Sequence, residues 1–237
     1  MEQVFEYLAF SAPGWGGNLL RGLVSTLQIA LGAYALGMSI GILGALGKIH
    51  GGPILRGALE VYTTLIRAVP ELVLILLLFY AGQDAINVIL TSLGFERVIL
   101  DGLWVGIYVI GFVQGAYSTE VFRGAFGAVA PGQIEAARAI GMSRLKVQTR
   151  VVIPLMLPFA LPGLANLWLI TTKDTALLAV VGVSELALET RQAAGATRAY
   201  FLFYVAAGCL YLLVTLVSNQ IFAWLERRLR RGQPVQG

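Results

Sequence analysis

Apolar positions along this chain gather into five runs, at about residues 19–47, 61–82, 99–122, 151–172 and 200–225. About 20 helical residues cross roughly 30 Å of hydrocarbon, so each run predicts one transmembrane helix. The chain as a whole reads as an all-α integral membrane protein. The first run is punctuated by Gly32, Gly37, Gly41, Gly44 and Gly47, a small-residue face suited to close helix packing. The fourth carries Pro154, Pro158 and Pro162 at every fourth position, hence on one face, and predicts an irregular helix that can bend. The apolar piece "ALLAVVGV" at 176–183 is too short to cross. It predicts a buried or re-entrant segment, which membranes tolerate only where protein or water surrounds it.

Composition strengthens this picture. Only 13% of the 237 residues are charged, 57% are hydrophobic and the mean hydropathy is +0.78, against about 25% charged in soluble domains. No Lys or Arg precedes Arg21, so the N-terminus lacks the basic region of a signal peptide and the first span is expected to be retained. Cys209 is the single cysteine and has no partner for a disulfide or a metal site; helix or lipid packing is its expected role. Trp15, Trp104, Trp168 and Trp224 fall near span ends, as an aromatic belt would place them.

The net charge of +4 would suit nucleic acid, but its distribution points to the membrane instead. The segments 48–60, 123–150 and 226–237 hold Lys48, Arg56, Arg123, Arg138, Arg144, Lys146, Arg150, Arg227, Arg228, Arg230 and Arg231. The alternate segments, 1–18, 83–98 and 173–199, hold only Arg97, Lys173, Arg191 and Arg198. Basic loops stay in the cytoplasm. Residues 1–18 therefore form an outer N-terminal segment, and 226–237 a basic cytoplasmic tail.

The longest basic segment contains "VAPGQIEAARAIGMSRLKV". After Pro131 and Gly132 it reads as a short helix over about 132–145, with Ile134, Ala137 and Ile140 on one face. Ala136 and Ala137 allow close approach of another surface, and Gly141 ends or turns the helix. Such a helix fits a groove on a partner protein; on composition alone it fits equally a solvated loop held near anionic lipid.

Order and spacing separate the two. "EAARAIG", nine residues, then "VVIP" resembles the EAA motif of ABC-importer permeases, with Val151 and Ile153 in place of the usual Ile and Leu. "TLQIALGAYALGMSIGILGALGK", "YTTLIRAVPELVLILLLFYAG", "GFVQGAYSTEVFRGAFGAV" and "TTKDTALLAVVGVSEL" extend the resemblance over about residues 18–228. They look like the polar-amino-acid branch, in particular the Q-type subunit of histidine/lysine/arginine/ornithine and octopine/nopaline importers. The resemblance implies a type I ABC importer permease fold of the bacterial inner membrane, with a five-helix core over 19–225. It also implies that Glu135, Ala136, Ala137, Arg138, Gly141 and Arg144 form a coupling helix. Its implied partners are a second, homologous but non-identical permease, two copies of a cytoplasmic ATPase that bind ATP and magnesium, a periplasmic solute-binding protein and an amino acid substrate. No nucleic acid and no cofactor in this chain are expected. Gly47-Lys48 is followed by Ile49, with no glycine five residues before Gly47, so the chain lacks a phosphate loop. Neither a Ser/His/Asp set nor a metal-ligand cluster is in register, and His50 in "KIHGGP" is read as a solvated side chain. No enzymatic activity is expected.

Charges inside spans are candidate transport residues, because burying them in lipid costs several kcal/mol. Glu71, beside Pro70, lies ten residues into the second span, about 15 Å deep at 1.5 Å per residue. It serves either a cationic substrate or Arg67, four residues earlier. Gln114 and Tyr117 sit at mid-depth in the third span and line a path or bond across helices. Glu120 and Arg123, three apart, predict a structural ion pair. Lys173, Asp174 and Thr175 stand at the outer end of the fourth span, where the resemblance implies an outer gate region and the residues alone suggest an interfacial charge pair. The expected function is passage of basic amino acids or opines. A permease for other polar amino acids, possibly homodimeric, and a self-sufficient secondary transporter are the alternatives; the absence of an inverted repeat argues against the last.

The orientation is testable. A cysteine placed at Leu90 should react with an impermeant thiol reagent from outside, and one at Leu145 only from inside. The reverse pattern would invert the topology.

Overall fold

The computed structural model describes residues 6–98 and 101–229, and these form helices with no strand among them. Helix α1 (Gly16–His50) is followed by α2 (Pro53–Ala68), α3 (Glu71–Ser92) and α4 (Gly102–Gly127). Then come the short α5 (Pro131–Ala139) and α6 (Arg144–Val147), a π turn at Gln148–Val152, α7 (Ile153–Asp174), a 3₁₀ segment at Thr175–Val181, α8 (Leu186–Thr197) and α9 (Tyr200–Leu229). Among the described residues, four stretches are long and apolar enough to cross a membrane: α1, α3, the continuous run Arg144–Val181, and α9. Helix α4, the third expected span, is diluted by glycine and polar residues because it is the buried centre: half of its 26 residues are buried. Ile99 and Leu100, at the start of that expected span, lie outside the described residues, as do Arg230 and Arg231.

The second expected span is not one helix. Val69 adopts an extended conformation (φ −98°, ψ 140°), as the residue before proline must when the proline ring crowds its backbone. The chain therefore breaks at Val69-Pro70, and α3 begins at Glu71. Because Arg67 and Glu71 lie on different helices, the i,i+4 pair considered above does not form, and no ion pair joins them among the described residues.

Helices α1 and α4 pack backbone to backbone. Gly37 rests on Gln114, Gly41 on Ser118 and Gly44 on Thr119, while Gly111 and Gly115 receive Leu36 and Ile40 from the opposite side. Without Cβ atoms the helices approach closely and gain dispersion contacts that lipid cannot supply. Around this seam lie four apolar clusters, one of which, Ile66, Leu74, Val113 and Ala116, joins α2 and α3 to α4. Leu19, Leu186 and Phe203 close one end, Ile29, Ile75, Val109 and Leu178 fill the middle, and Ala45, Phe122, Ala137, Val147 and Met156 close the end near α5.

Local chemistry sets the helix ends. Asp101 caps α4 by accepting from the Leu103 amide at 2.8 Å. Glu185 caps α8 by accepting from Leu188 (2.8 Å) and Ala187 (2.9 Å). The 3₁₀ segment ends at Gly182, whose φ of 82° favours glycine, so "ALLAVVGV" is a short buried connector and not a span. The expected irregularity does not run along the proline face: α7 stays α-helical through Pro158 and Pro162, and only the π turn at Gln148–Val152, just before Pro154, departs from it. Trp168 departs from the aromatic-belt expectation: it is buried, its indole donates to Ser218 Oγ at 2.8 Å, and it meets the Tyr34 ring edge-on. Trp104 and Trp224 are exposed, and Arg228 covers the Trp224 ring at 5.3 Å.

Two glycines separate packing from propensity. A Cβ at Gly41 would collide with Ser118, whereas one at Gly57 in α2 meets nothing within 4 Å. Gly41→Val should destabilise the folded chain by about 1–3 kcal/mol. Gly57→Ala should leave stability unchanged or raise it by up to about 1 kcal/mol. Thermal unfolding in detergent would check the contrast.

Candidate substrate site and coupling segment

The break at Pro70 has a consequence across the bundle. It sets the first residue of α3, Glu71, beside the last residue of α7, Asp174, and against the middle of α4. Glu71 lies within side-chain hydrogen-bonding reach of both Asp174 and Tyr117. Gln114, the thirteenth of the 26 residues of α4, donates through Nε2 to Asp174 Oδ2 at 3.0 Å. Three separate elements thus deliver two carboxylates, an amide and a phenol to one place. Helix interruptions that bring helix ends together inside the apolar depth are how membrane proteins build polar sites.

The electrostatics are uneven. Glu71 at a helix N-terminus meets the positive end of the α3 dipole, which favours its charge. Two carboxylates this close also repel each other, so a cationic group between them is favoured. Gln114 is only 1% exposed, and its Oε1 has no hydrogen-bond partner. Its amide cannot turn over to improve matters, because that would aim an oxygen at the Asp174 carboxylate. An unpaired buried acceptor costs about 1–3 kcal/mol, which a ligand N–H would relieve.

The other expected path residues add no hydrogen bond to this cluster, although the charges of Lys173 and Arg67 reach Asp174 and Tyr117 respectively. Lys173 is exposed. Thr175 is fully buried and donates back to the Thr172 carbonyl at 2.8 Å. Arg67, on the far side of the helix break, is exposed. Only Asp174 of the Lys173–Thr175 triplet faces the site.

Nearer α5, the expected Glu120–Arg123 pair is present at 2.7 Å. Sequence reasoning missed its third member. Lys48, counted above as a loop residue, belongs to the last turn of α1 with only 1% of its side chain exposed. It reaches Glu120 at 2.7 Å, Glu60 at 2.9 Å and Thr63 Oγ1 at 2.7 Å, tying α1, α2 and α4 together. One signal was available: Lys48 follows Gly37, Gly41 and Gly44 on the same helical face, so it continues the buried seam. A second missed node is Glu185. It is wholly buried and receives hydrogen bonds from Thr26 of α1 and Tyr211 of α9, and burial raises its carboxyl pKa.

The segment after α4 is two helices where one was expected over 132–145: α5 ends at Ala139 and α6 begins at Arg144. Pro131 opens α5, and Gly141 takes φ 81°, a left-handed turn into α6 that a side chain would strain. The faces differ from expectation. Ala137 is buried in the chain's own core with Ile134 packed beside it, whereas Ala136, Glu135, Arg138 and Ile140 are exposed. Ile140 leaves the Ile134–Ala137 face because the helix ends at Ala139. The surface offered outward is therefore Glu135, Ala136, Arg138 and Ile140, with Arg144 exposed beyond the turn.

Residues 37–231, which contain this segment and every element of the polar cluster, match the binding-protein-dependent transport system inner membrane component family. The chain belongs to that family. Among its relatives, the histidine/lysine/arginine/ornithine transport system permease protein HisQ of Salmonella typhimurium is 42% identical over 219 residues, 92% of this chain and 96% of the relative. The nopaline permease NocQ of Agrobacterium fabrum is 42% identical, covering 95% of this chain and 96% of its own. The octopine permease OccQ of Rhizobium radiobacter is 36% identical, covering 96% of each. A solved amino acid ABC transporter with histidines superposes with a TM-score of 0.75 at 28% identity over 90% of this chain and 95% of the other. The MetNI methionine transporter (TM-score 0.71, 18% identity, 92% and 99% covered) shares the fold. This family member is thus an inner-membrane permease subunit of an ABC importer with the type I fold, and not itself an enzyme.

The ion network yields a ranked test. Glu120→Leu leaves Lys48 buried with only the half-exposed Glu60 as ionic partner, and should destabilise by about 3 kcal/mol. Lys48→Met leaves Glu120 with Arg123 and should cost about 1 kcal/mol. Unfolding midpoints in detergent, compared between the two variants, would reveal the order; equal losses would remove Lys48 from the central place given to it.

Proposed function

We propose that this permease carries basic amino acids or related opines, with the cationic group of the substrate held between Glu71 and Asp174. The observation that carries the reading is the meeting of these two carboxylates at a helix break, beside the buried, half-satisfied amide of Gln114. Gln114 Oε1 accepts a ligand N–H, and Tyr117 bounds the site. The names of the relatives, permeases for histidine/lysine/arginine/ornithine, octopine and nopaline, support the same substrate class. The N-terminus lies outside and the C-terminus in the cytoplasm. On the cytoplasmic side, α5 with its outward Glu135 and Ala136 engages an ATPase that binds ATP and magnesium. Gly141 turns the chain out of that contact, and Arg138 and Arg144 complete the coupling segment from the side toward α1 and α7. A second, non-identical permease and an external solute-binding protein complete the importer.

One observation favours a second reading. Two carboxylates suit the α-ammonium group that every amino acid carries, so the same site would serve a permease for other polar amino acids. The two readings separate on selectivity. In proteoliposomes holding the assembled importer, Glu71→Gln and Asp174→Asn should each lower arginine or lysine uptake by tenfold or more, about 1.4 kcal/mol. Under the first reading, uptake of neutral amino acids changes far less; under the second, it falls equally. Wild-type uptake by both variants would remove the carboxylates from the substrate path.

A further inference from the structure

A concavity lies away from the polar cluster, at the α5 end of the bundle. It has a volume of about 870 Å³ and runs between α1, α4, the α6–π turn and α7. Its α1 wall is a single ridge, Met38, Ile42, Leu46 and His50, spaced by four residues, and Ile153 and Leu157 face it from α7. Twelve residues separate Met38 from His50, so the ridge is about 18 Å long at 1.5 Å per residue. That is close to one leaflet of a hydrocarbon core about 30 Å thick.

The polar groups of this groove belong to its α5 end. His50 closes the ridge there, and Arg138, Arg144, Gln148 and Thr149 line the groove from the α5–α6 segment and the π turn. No carboxylate lines it. The ion pairs among the described residues involve Lys48, Glu60, Glu120 and Arg123 only, so Arg138 and Arg144 have no carboxylate partner. An apolar trough one leaflet long that ends at two unneutralised guanidinium groups matches a molecule with an anionic head and an apolar tail. Guanidinium groups bind phosphate through paired hydrogen bonds, and basic pockets at the cytoplasmic ends of membrane helices attract anionic lipid.

We propose that this groove is a binding site for one anionic glycerophospholipid of the inner leaflet, its phosphate on Arg138 and Arg144 and an acyl chain along Met38, Ile42 and Leu46. The orientation rests on the cytoplasmic placement of α5 in the importer reading. An ATPase outside the bilayer does not reach Met38, a leaflet's depth from His50. The lipid joins the coupling segment to α1 and α7, so it holds in register the elements that would transmit motion.

The test uses the intact importer, purified in mild detergent and examined by native mass spectrometry after exchange with phosphatidylglycerol or phosphatidylcholine. One phosphatidylglycerol should be retained per copy of this chain, with at least a tenfold preference over phosphatidylcholine. Ile42→Trp and Leu157→Trp, which fill the trough, should abolish retention, and the Arg138→Gln/Arg144→Gln pair should remove the preference. No retained lipid in the wild type, equal retention of both lipids, or retention unaffected by either set of variants would overturn the proposal. So would a crosslink from Ile42→Cys to the second permease, which would show that a protein helix fills the groove. The importer reading is read out separately: loss of ATPase co-purification with lipid still retained would sink that reading and leave the lipid site standing.

Discussion

The close approach of α1 and α4 is the constraint from which the other features follow. Glycine at 37, 41, 44, 111 and 115 lets two backbones meet inside an apolar solvent where burial of side chains gives little drive to associate. Once the seam is fixed, the residues that continue it have no choice of environment. Gln114 is sealed under Gly37 and must find its partner on another element, which Asp174 supplies. Lys48 is carried into the interior at the end of the same stripe, and its charge is tolerable only because α2 and α4 each bring a carboxylate to it. The polar sites at mid-depth and near α5 are thus both anchored on one glycine-paved contact.

Much of this was legible in the sequence, and the part that was not has a common cause. The bilayer demands long apolar runs, so the helices were visible, and the glycine stripe announced the seam. The Glu135–Pro154 spacing and the positive φ of Gly141 are local features with local signatures. Glu71 was singled out by depth and proline, with Arg67 as one of two candidate partners; the pre-proline break removes that one and brings Asp174, about one hundred positions away, beside Glu71. Ala137 and Trp168 were expected at outer surfaces and lie inside. Helical periodicity says which residues share a face but not which face is covered. Lys48 was counted with a loop because a charge near a span end ordinarily reaches water; only the third helix, α2, makes burial possible.

The two polar sites also differ in what they leave unfinished. At Lys48 every charge has an opposite charge beside it, the condition under which a buried ion is stable. At Asp174 a like charge, Glu71, stands alongside, the nearby cations Lys173 and Arg67 are exposed, and one acceptor is unmet. Proteins hold such incomplete arrangements where something else is to complete them, and this contrast within one chain is what supports proposing a substrate place at Asp174 and a fixed scaffold at Lys48.

The run from Arg144 to Val181 is continuous helix. Mechanically it is a lever. Thirty residues separate Arg144 from Asp174, a rod about 45 Å long if the rise of 1.5 Å per residue holds throughout. A tilt of about 5° imposed at the Arg144 end swings the Asp174 end by about 4 Å if the rod stays rigid, more than the length of the hydrogen bond to Gln114. The π turn and the prolines at its lower end set where that rod is softest, so the angle delivered to Asp174 depends on whether force enters above or below Val152.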